Sequence, residues 1–178
     1  MWQVREGVIA SVLQVRPVPD AALSIDEQLN RLISDHERAL YNFLLALVRD
    51  PEVALDCAQD TFLRAYENLQ KNKPVNAPWL FKVARNRAMD EFRRGSKFRP
   101  ESDPTDAVQV HEPTDRNLAV RQAFSELSPS DREVLYLFDV AGFKTDEIGQ
   151  MLGVRGSAIR QRLSRARVRL RQAYGVEP

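Results

Sequence analysis

The chain has 178 residues, of which 43% are hydrophobic and 29% charged, and its formal net charge is +1. This composition predicts a soluble globular protein with one domain or two small ones. The single cysteine, Cys57, excludes an intramolecular disulfide and a cysteine-based zinc site. The two histidines, His36 and His111, lie far apart in sequence, so neither a metal ion nor any other cofactor is predicted.

Membrane segments are not predicted. No apolar run approaches the roughly 18 residues needed to span a bilayer, and no signal peptide surrounds the short apolar run near the N-terminus. We therefore expect a cytoplasmic protein without membrane insertion. Residues 1–23 show no helical period, so they are predicted to be a loosely ordered extension.

The first half of the chain predicts three helices. Ser24 and Glu27 form a capping box before an apolar pattern of helical spacing. Asp50 is a capping residue, and Pro51 suits the first position of the next helix. A loop rich in proline and asparagine precedes the third helix, which Gly95 ends. The predicted ranges are 25–48, 51–69 and 79–94, with the loop at 71–78.

The second half follows an acidic segment. Residues 97–116 contain three prolines and five acidic residues without a hydrophobic period, which is typical of a linker. Helices are predicted at about 117–127 and 129–140, with Ser130 and Glu133 as a possible second capping box. The predicted fold is all-α, with two small helical domains at 24–96 and 117–175 joined by this flexible linker.

The second helix carries an acidic surface. A solvated helix face and a docking face for a basic partner both fit this pattern. The predicted buried stripe is Leu55, Ala58, Phe62, Ala65 and Leu69. The opposite stripe is Glu52, Asp56, Gln59, Asp60 and Glu67 around Leu63.

The third helix is basic on its predicted outer side. Trp79 also falls there, and it could stack on exposed bases or pack against a neighbouring helix. The preceding loop, 72–76, has two amides and two lysines nearby that could form a pocket for an unpaired base. The inner residues are Phe81, Ala84, Ala88 and Phe92; the outer ones are Lys82, Asn86, Arg87, Arg93 and Arg94.

The segment 155–171 holds seven arginines and no acidic residue. Ile159, Leu163, Ala166 and Leu170 share one helical stripe, and the opposite face presents Ser157, Gln161 and Ser164 between Arg160 and Arg165. A first helix at about 145–152 and a turn at Gly153 complete a helix-turn-helix pattern. This pattern predicts that the protein binds duplex DNA and contacts base edges in the major groove. A solvated face, a membrane-surface helix and a calmodulin-type target are the alternatives.

These segments, in this order, resemble a bacterial extracytoplasmic-function (ECF) sigma factor, the two-domain form of the promoter-recognition subunit. Residues 56–66, DCAQDTFLRAY, look like the family's region 2.2. Residues 79–86, WLFKVARN, with Asp90 and Arg93-Arg94, look like regions 2.3 and 2.4. Residues 127–135, then Glu147-Ile148 and 164–167, look like region 4.

The resemblance implies a role for each surface, with no catalytic or metal-binding residue. Core RNA polymerase, through its β′ clamp helices and β flap, promoter DNA and an anti-sigma factor are the implied partners. The residues implied to bind core polymerase are Asp56, Gln59, Asp60 and Leu63. Those for the −10 element are Asn72, Lys73, Val75, Asn76, Trp79, Asn86, Arg93 and Arg94, and those for the −35 element are Arg155, Ser157, Arg160, Gln161, Ser164 and Arg165.

Two positions depart from the family pattern. Gly149 stands where alanine is usual, and glycine is expected to loosen the first helix of the motif slightly. Gln161 stands where serine is frequent, so the −35 preference is expected to shift. The competing hypotheses are a two-domain transcriptional regulator with a LuxR-like DNA-binding end and a helical sensor, and a small helical enzyme. No nucleophile–base pair or glycine phosphate loop in the sequence supports the enzyme.

Overall fold

A computed structural model describes residues 23–94 and 115–175, and every regular element in those ranges is helical. The predicted all-α fold is confirmed. The predicted N-terminal extension and the linker lie outside the described residues, apart from Leu23 and the first two residues of α4. The elements are α1 (Ile25–Val48), α2 (Pro51–Gln70), α3 (Ala77–Arg94), α4 (Asp115–Ser125), α5 (Pro129–Leu135) with a π-helical turn (Tyr136–Val140), α6 (Thr145–Leu152) and α7 (Gly156–Ala173).

Polar caps fix the start of three helices. The Ser24 hydroxyl accepts from the Glu27 amide at 3.2 Å, and the Glu27 carboxylate accepts from the Ser24 amide at 2.7 Å. The Asp50 carboxylate accepts from the Val53 amide at 2.9 Å, as the prediction required. At α5 the cap is Ser128, not the predicted pair Ser130 and Glu133. That prediction was wrong because Glu133 is buried and contacts another helix.

The first three helices bury a shared apolar core. α1 contributes its C-terminal half, and α2 and α3 pack across it. Complete burial of a phenylalanine or leucine side chain contributes about 1.5–3 kcal/mol. The residues with no exposed surface include Leu40, Phe43, Leu44, Cys57, Leu80 and Ala84.

Two residues of the predicted inner stripes lie on the surface instead. Leu55 is 50% exposed, and Phe92 is 43% exposed. On α2 the inward stripe runs through Ala54, Cys57 and Thr61, because small residues allow the close approach of the neighbouring helices. Ala58, Ala65 and Leu69 of the predicted α2 stripe are buried and Phe62 packs against the core, so on this helix only Leu55 was placed wrongly.

The last three helices form the helix-turn-helix half. Val134, Leu137, Ile148 and Ile159 are buried where α5, α6 and α7 meet. Three consecutive charged residues, Asp131, Arg132 and Glu133, are also buried. Buried charges need hydrogen-bonded partners, and those partners determine how α5 sits in the molecule.

The two halves pack against each other. α5 and its π-helical turn contact α1, and α6 contacts α3. The apolar cluster is therefore continuous from Leu40 in α1 to Ala166 in α7. This contact was not predicted from the sequence.

Candidate functional site

α7, the second helix of the predicted helix-turn-helix, presents the predicted polar face to solvent. Ser157, Arg160, Gln161, Ser164 and Arg165 are exposed, and Arg155 is the exposed N-cap residue of α7. Ile159, Leu163 and Ala166 are buried on the opposite side, and Leu170 is half-buried. Because the buried stripe fixes the rotation of the helix, the short polar side chains point away from the core. All six predicted −35 residues are thus exposed, five of them on one face of α7 and Arg155 at its N-terminus.

Gly153 and Gly149 shape the turn before that helix. Gly153 has φ of 70°, and its amide donates to the Gly149 carbonyl at the end of α6. A Cβ atom at Gly149 would lie 2.6 Å from the carbonyl oxygen of Val154. Real Cβ atoms are not found this close to another heavy atom. Glycine at position 149 therefore permits a close approach of the turn, which is more than the slight loosening expected from helix propensity.

The arginines of α7 differ in what they contact. Arg160 lies 3.5 Å from the Thr145 hydroxyl at the start of α6. Arg167 contacts Asp139 at 2.5 Å and lies 5.2 Å from the centre of the Phe138 ring. Arg169 contacts Asp131 at 2.6 Å, and the Asp131 side chain is only 3% exposed. Arg169 therefore stabilises the fold of this half, because it is a charged partner of a buried carboxylate.

A basic groove lies beside the polar face of α7. It has a volume of about 660 Å³, and Phe138 and Leu163 form part of its apolar lining. Guanidinium and ammonium groups along such a groove attract phosphate, which is the sequence-independent part of DNA binding. The cations that line it are Lys144, Arg160, Arg167 and Arg171.

The acidic face of α2 is exposed, except at Asp60. Asp56 and Gln59 are exposed, and Leu63 is 58% exposed. Asp60 is only partly exposed, and it accepts a hydrogen bond from Arg87 of α3 at 2.6 Å. This hydrogen bond raises the pKa of Arg87. Asp60 therefore ties α2 to α3, and the exposed residues beside it on α2 include Leu55, Asp56, Gln59 and Leu63.

The loop before α3 is held by local hydrogen bonds. The Asn76 side chain accepts from the Trp79 amide at 3.0 Å, which caps the start of α3. Asn72 adopts the left-handed conformation with φ of 52°, and the Lys73 amide donates to the Asn68 carbonyl. Val75 is half-buried against the core. Three of the four predicted −10 residues in this loop are exposed, namely Asn72, Lys73 and Asn76.

The predicted −10 residues of α3 fall into two groups. Asn86 is exposed, as are Arg93 and Arg94 at the end of the helix. Trp79 is partly buried against the core, so packing is the better of its two interpretations. Arg87, predicted to lie on the outer surface, instead pairs with Asp60 and Glu91. Arg93 contacts Asp90 at 3.1 Å and Arg94 contacts Glu91 at 3.6 Å, within the same helix.

No metal site or membrane-spanning segment is found among the described residues. None of their acidic, histidine and cysteine side chains gather into a group that could hold an ion. Within the same ranges, no helix combines the length and the apolar character that a membrane crossing requires. Burial raises the pKa of the Cys57 thiol to about 11, so this cysteine is not a reactive nucleophile.

An exposed polar and basic helix behind a tight glycine turn defines a helix-turn-helix DNA-binding protein. Family models extend this to most of the chain: Sigma-70 region 2 matches residues 32–98, and Sigma-70 region 4 matches residues 117–170. The chain belongs to the ECF RNA polymerase sigma factors.

Individual relatives agree with this membership. The ECF sigma factor SigM of Bacillus subtilis is 30% identical over 166 residues, covering 85% of this chain and 96% of its own. SigL of Mycobacterium tuberculosis is 31% identical, covering 82% and 88%. Among solved structures, a similar one is the sigma factor RpoE of Bartonella quintana in complex with the anti-sigma factor NepR. The match has a TM-score of 0.72 and 25% sequence identity, and it covers 85% of this chain and 99% of RpoE.

Some relatives are longer than the matched region. The chain spans 42% of the probable RNA polymerase sigma factor RfaY of Xanthomonas campestris and 60% of SigE of Mycolicibacterium smegmatis. These proteins therefore contain sequence that this chain does not match.

Proposed function

We propose that the chain binds core RNA polymerase in the bacterial cytoplasm, directs it to promoters and promotes DNA melting, without catalytic activity of its own. The observation that carries this proposal is the exposed face of α7, where Ser157, Gln161 and Ser164 lie between Arg160 and Arg165. Short polar side chains reach base edges in the major groove, and arginine binds guanine or phosphate. The two predicted domains, residues 24–96 and residues 117–175, are proposed to act on separate DNA elements.

The proposed division of labour follows the two halves. The α7 face, with Arg155 at its N-terminus, would read the −35 element as duplex. The loop at 72–76 and the exposed residues of α3 would hold the non-template strand of the −10 element, where bases are no longer paired. Amide side chains can bond the edges of such bases, and Arg93 and Arg94 can bind the adjacent phosphates. Trp79 and Val75 pack against the core and would hold the residues of this surface in position.

Protein partners are proposed for the remaining surfaces. The exposed acidic and apolar residues of α2 suit a basic surface with an apolar centre, and we assign them to the β′ clamp helices. The helix-turn-helix half would bind the β flap. An anti-sigma factor is also proposed as a partner, because the structural relative RpoE was solved in complex with one.

Run-off transcription with purified core polymerase and a promoter library tests this proposal. The wild-type chain should yield transcripts only from templates that carry a common −35 and −10 pair. A variant with Arg160→Ala and Arg165→Ala should bind core polymerase normally but lose most of these transcripts. Duplex DNA binding without polymerase binding would contradict the proposal and favour the two-domain regulator.

A further inference from the structure

The four cations of the basic groove beside α7 are not equivalent. Lys144, Arg160 and Arg171 form no ion pair with another described residue, although all three line the groove and are exposed. Arg167 lines the same groove, and its Nη2 atom lies 2.5 Å from Oδ1 of Asp139. The groove therefore contains three cations without a carboxylate partner in the described part of the chain, and one whose charge a carboxylate offsets.

A second contact orients the same guanidinium. Cζ of Arg167 lies 5.2 Å from the centre of the Phe138 ring, which is within the range of a cation–π interaction. Phe138 is partly buried and packs against the core, so the position of its ring is fixed. Asp139 follows Phe138 directly in the chain, so both contacts come from one element. Together they turn the Arg167 guanidinium toward the π-helical turn.

The π-helical turn explains why this carboxylate faces α7. The Ala141 amide donates to the Tyr136 carbonyl, five residues earlier, at 2.9 Å. Such turns are rare, and many of them occur at functional sites. Here the turn keeps Tyr136 and Leu137 buried while Asp139 is exposed. An exposed carboxylate is thus placed beside a helix that otherwise presents cations on its outer side.

The ion pair makes Arg167 a poor ligand for phosphate. Both side chains are 43% exposed, so the pair is accessible to DNA. A phosphate that approaches Arg167 also approaches Asp139, and two negative groups repel each other. Each arginine that does neutralise a phosphate releases counterions, which strengthens binding to every DNA sequence alike. Asp139 therefore lowers the part of DNA binding that does not depend on sequence.

The exposed polar residues of α7 are separate from this pair. Ser157 and Gln161 are exposed in the first turns of the helix. Arg167 follows Gln161 by six residues, which is about 9 Å along the helix axis. Release of Arg167 should therefore change how tightly duplex DNA is bound and leave the base preference as it is.

We propose that Asp139 is a positioning residue that withholds Arg167 from DNA phosphates and so limits the affinity of the chain for duplex DNA of any sequence. This inference rests on the proposed function, because it assumes that α7 binds duplex DNA. A genome offers roughly 10⁶–10⁹ competing sites of unrelated sequence. Lower affinity for those sites leaves more of the chain free to bind core polymerase.

The salt dependence of duplex binding by the complete chain tests this proposal. Each protein is titrated with two duplexes, one with the selected −35 sequence and one with that sequence scrambled, at about 50 to 200 mM salt. The slope of log affinity against log salt reports how many phosphates the protein neutralises. The variants are Asp139→Asn, Arg167→Gln and the combination of both. The control, Asp146→Asn, removes the same charge from an exposed position next to the groove residue Thr145.

We expect Asp139→Asn to steepen the slope by about 0.9 on both duplexes, because the released Arg167 neutralises one further phosphate. At 0.1 M salt this corresponds to a gain in affinity of up to about eightfold. The ratio of the two affinities should stay constant, since phosphate contacts carry no sequence information. Arg167→Gln, the double variant and Asp146→Asn should all keep a slope close to that of the wild type.

Three results would overturn the proposal. If Arg167→Gln alone flattens the slope by about 0.9, Arg167 already binds a phosphate in the wild type. If a folded Asp139→Asn protein binds DNA more weakly, the carboxylate directs Arg167 toward DNA. If Asp146→Asn steepens the slope as much as Asp139→Asn does, the loss of any nearby negative charge is sufficient. Thermal melting checks that each variant is folded, and Arg167→Gln decides the question if Asp139→Asn does not fold.

Failure of the proposed function gives a different result. A wild-type chain that binds both duplexes equally would contradict −35 recognition, whereas the slopes of the variants could still be compared. Absence of duplex binding by every protein would overturn the proposed reading of the −35 duplex and the role of Asp139 together.

Discussion

At the residue scale, the arginines of α7 have different roles because they contact different groups. Arg160 and Arg165 border the exposed polar face, whereas Arg169 pairs with the buried Asp131. The Ser128 hydroxyl also donates to Asp131, at 2.8 Å. Charge pattern alone could not separate these arginines, because the partner of Arg169 lies 38 residues earlier in the chain.

Arg169→Ala should therefore lower stability without altering promoter preference. A buried carboxylate that loses a charged partner is expected to cost about 1–3 kcal/mol, reduced here because Ser128 remains. The melting temperature should fall by roughly 2–8 °C. Arg171→Ala, on the same helix and exposed, is the control and should melt like the wild type. An unchanged melting temperature for Arg169→Ala, with weaker DNA binding, would instead place Arg169 in the DNA interface.

Gln161 should influence which −35 bases are preferred. Its side chain is exposed at the centre of the polar face, and an amide can donate and accept on one base edge. Gln161→Ser shortens this reach, so the selected −35 sequence should change at one or two positions, with little loss on the best new site. Selection of −35 sequences from a random library by both proteins measures this. Identical preferences would remove Gln161 from the residues that read bases.

At the element scale, the turn between α6 and α7 depends on a glycine inside a helix. Gly149→Ala would gain about 1 kcal/mol of helix propensity. The added Cβ, 2.6 Å from the Val154 carbonyl oxygen, would force the turn to move, at a cost of about 1–3 kcal/mol. We expect lower net stability and weaker −35 binding, measured by thermal melting and duplex titration. Gln150→Ala, at an exposed position on the same helix, is the control and should leave the melting temperature and −35 binding nearly unchanged. A Gly149→Ala protein that is more stable than the wild type would show that the turn can move at no cost.

The face of α2 should act as an interface that is separate from the core. Asp56→Lys with Leu63→Glu changes two exposed side chains, so core polymerase binding should fall at least tenfold while the melting temperature stays nearly constant. Asp60→Lys is the informative comparison, because it also removes the contact with Arg87 and should lower the melting temperature. Polymerase pull-down and thermal melting on the same samples separate the two effects. If the double variant Asp56→Lys, Leu63→Glu still binds polymerase strongly, this face is exposed to solvent and does not contact the polymerase.

Local signals predicted the elements better than their orientation. The hydroxyl and carboxylate caps and the glycine turn act within a few residues, so helix bounds could be read from sequence. The stripes of α2 and α3 were less certain, since Leu55 and Phe92 fit a helical period but lie on the surface. The small residue Ala54 and the polar Thr61 face inward instead, and packing partners decide this.

At the scale of the whole molecule, the contact between halves could not be predicted from sequence. The run Asp131-Arg132-Glu133 after Ser128-Pro129 has the pattern of an exposed first helical turn. Its burial depends on Arg85 and on the end of α1, which lie 48 and 86 residues earlier in the chain. Such long-range pairs leave no local period, so an acidic linker between two independent domains was the simpler prediction.

The division of DNA reading between the halves gives a prediction for the complete complex. Asn86 is exposed on α3, far in sequence from the recognition helix, and it makes no contribution to the buried core. Asn86→Ala should therefore reduce promoter opening at least severalfold, because an unpaired base would lose its amide partner. Binding to a −35 duplex should stay unchanged. Permanganate footprinting of the polymerase–promoter complex measures opening, and titration of the −35 duplex measures the other step. Equal loss in both assays would mean that α3 and α7 act on DNA as one unit.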